Sequence, residues 1–259
     1  MRRVALAALL VTAVTACGGS GKHAATTTTV LAKPATFPGA VARTVAPRTA
    51  FFKQETEVTL GSQSLDAAEQ GTISFVERKA RIFKQLTSGG VPGEIVVIGP
   101  ITYANSNAQA ALSDPSVRPW TKLDTRKLTA KEAATQADEY AHAITPAYLA
   151  AGVAQPKLVG YFGALTQFRG HVDVALLKRR VPAAVRPWVE RSLEADYPAG
   201  GFEAQFWLGT QGRVRRVIVT YKTAKGTPVG IATEYSGFGA RVNLSLPPAD
   251  EIKDVTPAR

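Results

Sequence analysis

Phe202-Glu203-Ala204-Gln205-Phe206-Trp207-Leu208-Gly209-Thr210-Gln211-Gly212-Arg213-Val214-Arg215-Arg216-Val217-Ile218-Val219-Thr220-Tyr221-Lys222 decides the fold class. Phe202, Ala204, Phe206 and Leu208 alternate with Glu203, Gln205 and Trp207, the period-two pattern of a strand with one buried face. Gln211-Gly212 supplies a hairpin turn, and Val217, Val219 and Tyr221 then share one face of the return strand. After Lys225-Gly226 a third run follows, with Val229, Ile231, Thr233 and Tyr235 on one side. Three consecutive one-faced strands predict an antiparallel meander with one wet side.

The same signal recurs upstream. Phe52, Val58 and Leu60 share a parity in Thr49–Leu60, and Ile73 and Phe75 share one in 71–78, beyond a loop expected at 61–70. Strands are predicted at 80–87, 94–98, 101–105 and 119–124, punctuated by Gly89-Gly90, Pro92-Gly93 and Gly99-Pro100. Between the two strand sets lies helix. Thr129-Ala130-Lys131-Glu132 is a capping box, and Ala133, Ala137, Tyr140 and Ile144 continue an apolar stripe that Pro146 ends or kinks. A short helical piece closing at Gly152 follows, then strands at 157–163 and 165–174. A basic helical stretch, 176–195, is broken at Pro182 and Pro187, and a last strand is expected at 241–246. Strands and helices segregated in this way imply an α+β fold, with helices packed on the concave face of a curved antiparallel sheet.

The first sixteen residues set the compartment. Arg2 and Arg3 precede an apolar run from Val4 to Val14, which has signal-peptide length and falls short of the roughly 20 residues needed to span a bilayer. Val14-Thr15-Ala16-Cys17-Gly18 places small residues ahead of the only cysteine in the chain. This resembles the lipobox of bacterial lipoproteins, which implies acylation of Cys17 and cleavage before it. An ordinary secretory signal is the alternative. The domains expected are a signal at 1–16, an acylated cysteine with a Thr/Ala/Gly/Pro tether at 17–48, and a folded domain at 49–255. Without a second cysteine, that domain must rest on its apolar core.

The formal charge is +11, of which +9 stays with the mature chain once Arg2 and Arg3 leave. On an exported, tethered protein this favours anionic headgroups or envelope polymers over nucleic acid, or simply a solubilising surface. Lys178, Arg179, Arg180, Arg186 and Arg191 cluster on the second helical stretch, and Arg213, Arg215 and Arg216 open a strand. Catalysis has little to stand on. His23, His142 and His171 show no metal-ligand spacing, and no nucleophile elbow or phosphate loop is present. His171 and Asp173, sharing a strand face, are the one pair fit to orient an imidazole. A solvent-facing pair is the plainer reading. No enzyme activity, cofactor or metal is expected. Phe75, Tyr103, Trp120, Tyr140, Tyr148, Tyr161, Phe168 and Phe206 line either an apolar ligand cavity or a closed core.

Four motifs in order resemble a family. These are Ile101-Thr102-Tyr103-Ala104-Asn105 with Pro119-Trp120-Thr121-Lys122-Leu123-Asp124; Thr166-Gln167-Phe168-Arg169-Gly170-His171-Val172-Asp173; Trp207-Leu208-Gly209-Thr210-Gln211-Gly212-Arg213-Val214-Arg215-Arg216; and Glu234-Tyr235-Ser236-Gly237-Phe238-Gly239. Together with the lipobox they resemble LolA-like actinobacterial lipoproteins related to the LppX/LprG family. Gly209 stands where that family's hairpin carries aspartate. The resemblance implies a half-barrel wrapped over helices, with an apolar cavity holding lipid or lipoglycan acyl chains for transport or presentation. Related folds instead act as protein-binding envelope sensors, with helices filling the cavity. The partners expected are therefore the membrane through Cys17, a hydrophobic lipid and, in the alternative, an envelope protein.

Overall fold

The computed structural model describes residues 35–257 apart from 62, 87–92, 106, 115 and 224. The signal, Cys17, residues 18–34 and the Gly89-Gly90 turn lie outside the described residues. The first strands are β1 (Thr49–Leu60), β2 (Gln63–Ser74), β3 (Lys79–Leu86), β4 (Gly93–Ile98), β5 (Ile101–Ala104) and β6 (Trp120–Asp124). After the central helices come β7 (Lys157–Phe162) and β8 (Leu165–Val172), then β9 (Phe202–Leu208), β10 (Val214–Lys222), β11 (Pro228–Ser236) and β12 (Ile252–Asp254). They form a single open sheet in the order β12-β6-β5-β4-β3-β2-β1-β11-β10-β9-β8-β7. Every pairing is antiparallel except β12 on β6.

The helices are α1 (Ala40–Val45), α2 (Ala108–Ser113), α3 (Ala130–Thr135), α4 (Glu139–Tyr148), α5 (Val174–Arg180) and α6 (Arg186–Asp196). α4 touches β2, β3 and β10, while α1, α5 and α6 pack around it on the same face. The fold is thus α+β, one open sheet with a helical layer on one side. Alternation explains the layering. In β9 the pattern runs buried-exposed-buried, with Phe202, Ala204, Phe206 and Leu208 turned to the helices.

Several boundaries differ from the sequence reading, each for a physical reason. The expected tether over 17–48 gives way to ordered chain from Ala35: Phe37 and Ala40 are buried in the core and α1 packs against α4 and β10. The loop expected at 61–70 is mostly strand. Residues 63–68 lack apolar alternation, but β1 pairs with the whole stretch and β3 joins from Ala67 on. That placement also requires glycine at position 71, where a Cβ would lie 1.9 Å from the Arg81 carbonyl oxygen. The single helix from Thr129 is two. The capping box forms as expected, but α3 stops at Thr135 and Asp138 starts α4 as a new N-cap.

Pro146 sits inside α4 rather than ending it. Pro187 lies in the first turn of α6, where its missing N–H costs nothing, so it opens that helix instead of breaking it. Residues 241–246 pair with no strand; β11 is already flanked by β1 and β10, and Leu244 packs on a small apolar cluster instead. The tail beyond it supplies β12.

Candidate functional site

Five of the eight aromatics expected to line a cavity meet beneath the helices. Phe75, Tyr140, Tyr148, Phe168 and Phe206 all belong to the main core, none more than 8% exposed. Tyrosine hydroxyls sew sheet to helix there. Tyr140 donates to the Ser74 carbonyl at 2.8 Å, Tyr148 to that of Phe75 at 2.7 Å, and Tyr235 to that of Ala143 at 3.0 Å. Burial pushes all three phenols above the usual tyrosine range, so they stay protonated donors. Phe37 closes the far side, its ring 5.2 Å from Phe168 and 5.3 Å from Phe206, both edge-on. Phe37, Phe168 and Phe206 thus pack directly on one another within the main core.

The other three aromatics lie elsewhere. Tyr103 and Trp120 join Val96 in a second, smaller cluster. Tyr161 is 59% exposed on the edge strand β7. Phe37 was missed because it stands alone in a proline-punctuated run with no period to flag it.

A polar groove of about 580 Å³ runs between α4, α6 and β2. Asp138 is its anchor. It accepts Ala141 N as the N-cap of α4, pairs with Arg78 at 3.2 Å and with Arg191 at 2.6 Å, and is itself almost fully buried. Lys84 bridges Glu69 at 3.0 Å and Glu139 at 2.6 Å. Burial lowers the pKa of Lys84, but those two carboxylates outweigh it and leave the amine above its ordinary value.

His142 Nδ1 lies 3.0 Å from Asp196 Oδ2. There too burial pulls the pKa down, and Asp196, with Glu69 and Glu139 adding, raises it overall. The Asp196 backbone carbonyl also accepts the Tyr221 hydroxyl, so α4, α6 and β10 are clamped at one point. Burial raises the Tyr221 phenol to about 12. Ser192 donates to Asp196 rather than to His142, so no activated nucleophile results. Among the described residues no three acidic, histidine or cysteine side chains are placed to hold a metal.

His171 and Asp173 do not form a pair. β8 ends at Val172, Asp173 turns to cap α5 by accepting Leu176 N at 2.8 Å, and His171 lies 3.3 Å from Glu203 on an exposed face.

No family model and no curated protein matches the chain. Solved structures do. MucB in complex with MucA(peri) is 12% identical over 82% of this chain, with a TM-score of 0.33. The chain spans 60% of that MucB chain's length. A LolA superfamily protein from Nitrosomonas europaea is 10% identical, covering 82% of this chain and 95% of its own, with a TM-score of 0.28.

The basic helical stretch is largely a structural clip. Lys178 pairs with Glu194 at 2.8 Å, Arg186 donates to the Val181 carbonyl, Arg180 to that of Ala151, and Arg191 holds Asp138. The second basic group, Arg213, Arg215 and Arg216, is different. Arg215 and Arg216 border a groove of about 620 Å³ on the sheet face away from the helices, with Phe51, Phe83, Leu165 and Glu234 also lining it. Arg213 and Arg215 stack over the Phe238 ring at 5.3 and 5.5 Å, and Arg216 over Trp207 at 5.5 Å. No described helix is long and apolar enough to cross a membrane.

Proposed function

We propose that this chain is an extracytoplasmic lipoprotein, anchored through Cys17 and akin to the LppX/LprG group. In this reading its domain works at the envelope by binding a partner on its outside, without catalysis. The observation that carries it is the filled interior: Phe37, Phe168 and Phe206 interlock where acyl chains would lie, and three buried tyrosine hydroxyls tie α4 and the sheet together. Opening that space means breaking these bonds and re-exposing several aromatic rings, each of which buries roughly 150–250 Å².

A carrier of acyl chains is the second reading, and one observation favours it. α5 and α6 lie over the core as a pair joined at residues 181–185, and α6 is held by polar contacts, Arg191 to Asp138 and Asp196 to His142, rather than by apolar packing alone. Native mass spectrometry of the chain, purified without detergent from a lipid-rich host, separates the two. A lipid-free folded mass, with acyl groups confined to Cys17, is the expected result. Stoichiometric non-covalent lipid sends the assignment to the carrier, and an unmodified Cys17 removes the anchor.

A further inference from the structure

One end of the sheet gathers what a bilayer surface would recognise. There the β7–β8 turn, the β9–β10 turn, the start of β1 and the end of β11 lie side by side, as the pairings Phe162 with Leu165, Thr166 with Leu208, and Phe51 with Ser236 require. Tyr161, Phe162 and Phe51 stand 59, 54 and 47% exposed at this end. Isolated exposed rings are ordinary; two adjacent on the edge strand β7, with a third further along the same rim on β1, make a longer apolar margin. Beside them Arg213, Arg215 and Arg216 are raised on the Phe238 and Trp207 rings. Glu234 faces Arg216 at 3.5 Å, while Arg213 and Arg215 form no ion pair among the described residues. Aromatic rings mixed with arginines suit the headgroup layer, where rings sit at the interface and guanidinium groups meet phosphate.

The chain's own path gives this end a direction. Phe37 packs against Phe168 and Phe206, and Thr44 accepts Val214 N at 2.8 Å, so the ordered chain enters at the β9–β10 turn. Arg43 locks that entry, donating to the Gly212 carbonyl at 3.1 Å and to that of Thr36 at 2.5 Å. Glycine suits position 212: its φ is +69°, and a Cβ there would lie 2.4 Å from Arg43 Nε and push that side chain aside. Seventeen residues separate Cys17 from Ala35, and even full extension gives them a reach of only about 60 Å.

We infer that the end of the sheet carrying Tyr161, Phe162, Arg213 and Arg215 docks on the bilayer as a lipid-surface contact selective for anionic headgroups. Its direction toward the membrane rests on the Cys17 anchor; its affinity for lipid does not. The test therefore uses the full chain with Cys17→Ser, which removes acylation, and vesicles of phosphatidylcholine with or without one-third phosphatidylglycerol.

Sedimentation with the anionic vesicles is expected, together with little binding to the neutral ones and loss of binding in high salt. Arg213→Ser with Arg215→Ser should weaken it about 30-fold, taking roughly 1 kcal/mol for each basic residue near the surface. Phe162→Ser should also weaken it, at unchanged net charge. Lys222→Ser with Lys225→Ser removes the same charge at the opposite end of β10 and should leave binding intact. Equal losses from both double variants, or no binding to anionic vesicles, would overturn the inference. So would a protein partner captured through these residues while vesicle binding stays unaffected by them. Acyl mass on the wild-type chain reports separately on the anchor.

Discussion

The two wings of the sheet are sealed by different means. On the helix-facing side, covered by α1, α4, α5 and α6, the core runs without a break from β4 across the sheet to β8. On the opposite face at the β4–β6 wing, Val96, Tyr103 and Trp120 form a small cluster that Ile98, Ile101, Leu244 and Ile252 cover. The C-terminal tail is the clasp here. β12 pairs with β6, Lys122 bonds Asp254 at 2.8 Å, Arg118 donates to the Ile252 carbonyl, and Asp124 N donates to Thr256 Oγ1. One wing is held by burial plus a buried charge network, the other by a strap of some fifteen residues on the surface. Cooperative unfolding should therefore belong to the first, and local opening to the second.

The largest effect should come from Asp138. Replacing it with alanine strands Arg78 in a buried position and removes the α4 cap, costing about 3–5 kcal/mol in urea unfolding, with the whole main core melting together. Phe37→Ala should follow at roughly 3 kcal/mol, because it opens a void between Phe168 and Phe206. A negligible change would mean that this residue belongs to the tether after all. Truncation after residue 240 should cost about 1–2 kcal/mol and act only on the far wing. In hydrogen exchange, β5 and β6 amides should lose protection while β9 and β10 keep theirs. Loss in both would erase the distinction between wings.

Two pH effects sharpen the same contrast. His142 has a folded pKa raised above its unfolded value, so its contribution is complete below about 6.5 and fades as pH rises through the folded value. His142→Gln should flatten that slope in a stability–pH profile of the main core. Asp124 runs the other way. Its hydrogen bonds from Arg126 hold the carboxyl at about 2, so the contribution present above about 4 is lost as pH falls toward 2. Acid should loosen the β6 edge first, and exchange of β6 amides at pH 3 checks it.

Much of this was legible in the sequence. Period-two alternation located most strands, and the Thr129 box and Pro182 break set helix ends where they stand. What escaped was set by tertiary pairing. Residues 63–68 become strand because β1 pairs with all of them and β3 with the last two, and 241–246 remains unpaired because no ladder position is left beside β11. Site residues were harder still. The aromatics were visible, but whether they line a cavity or fill one depended on Phe37 and on tyrosine hydroxyls finding backbone carbonyls, neither of which has a sequence period. The Asp138–Arg78 and His142–Asp196 contacts join residues 60 and 54 positions apart, beyond any local pattern.

The filled interior is the claim on which the rest depends, and titrating the wild-type chain with a fluorescent fatty acid tests it directly. The packing of Phe37, Phe168 and Phe206 predicts no saturable uptake. It also predicts that one weak site appears only when Phe37→Ala opens a void. Saturable one-to-one uptake by the wild-type chain, unaffected by Phe37→Ala, would contradict the account and return the domain to the role of carrier.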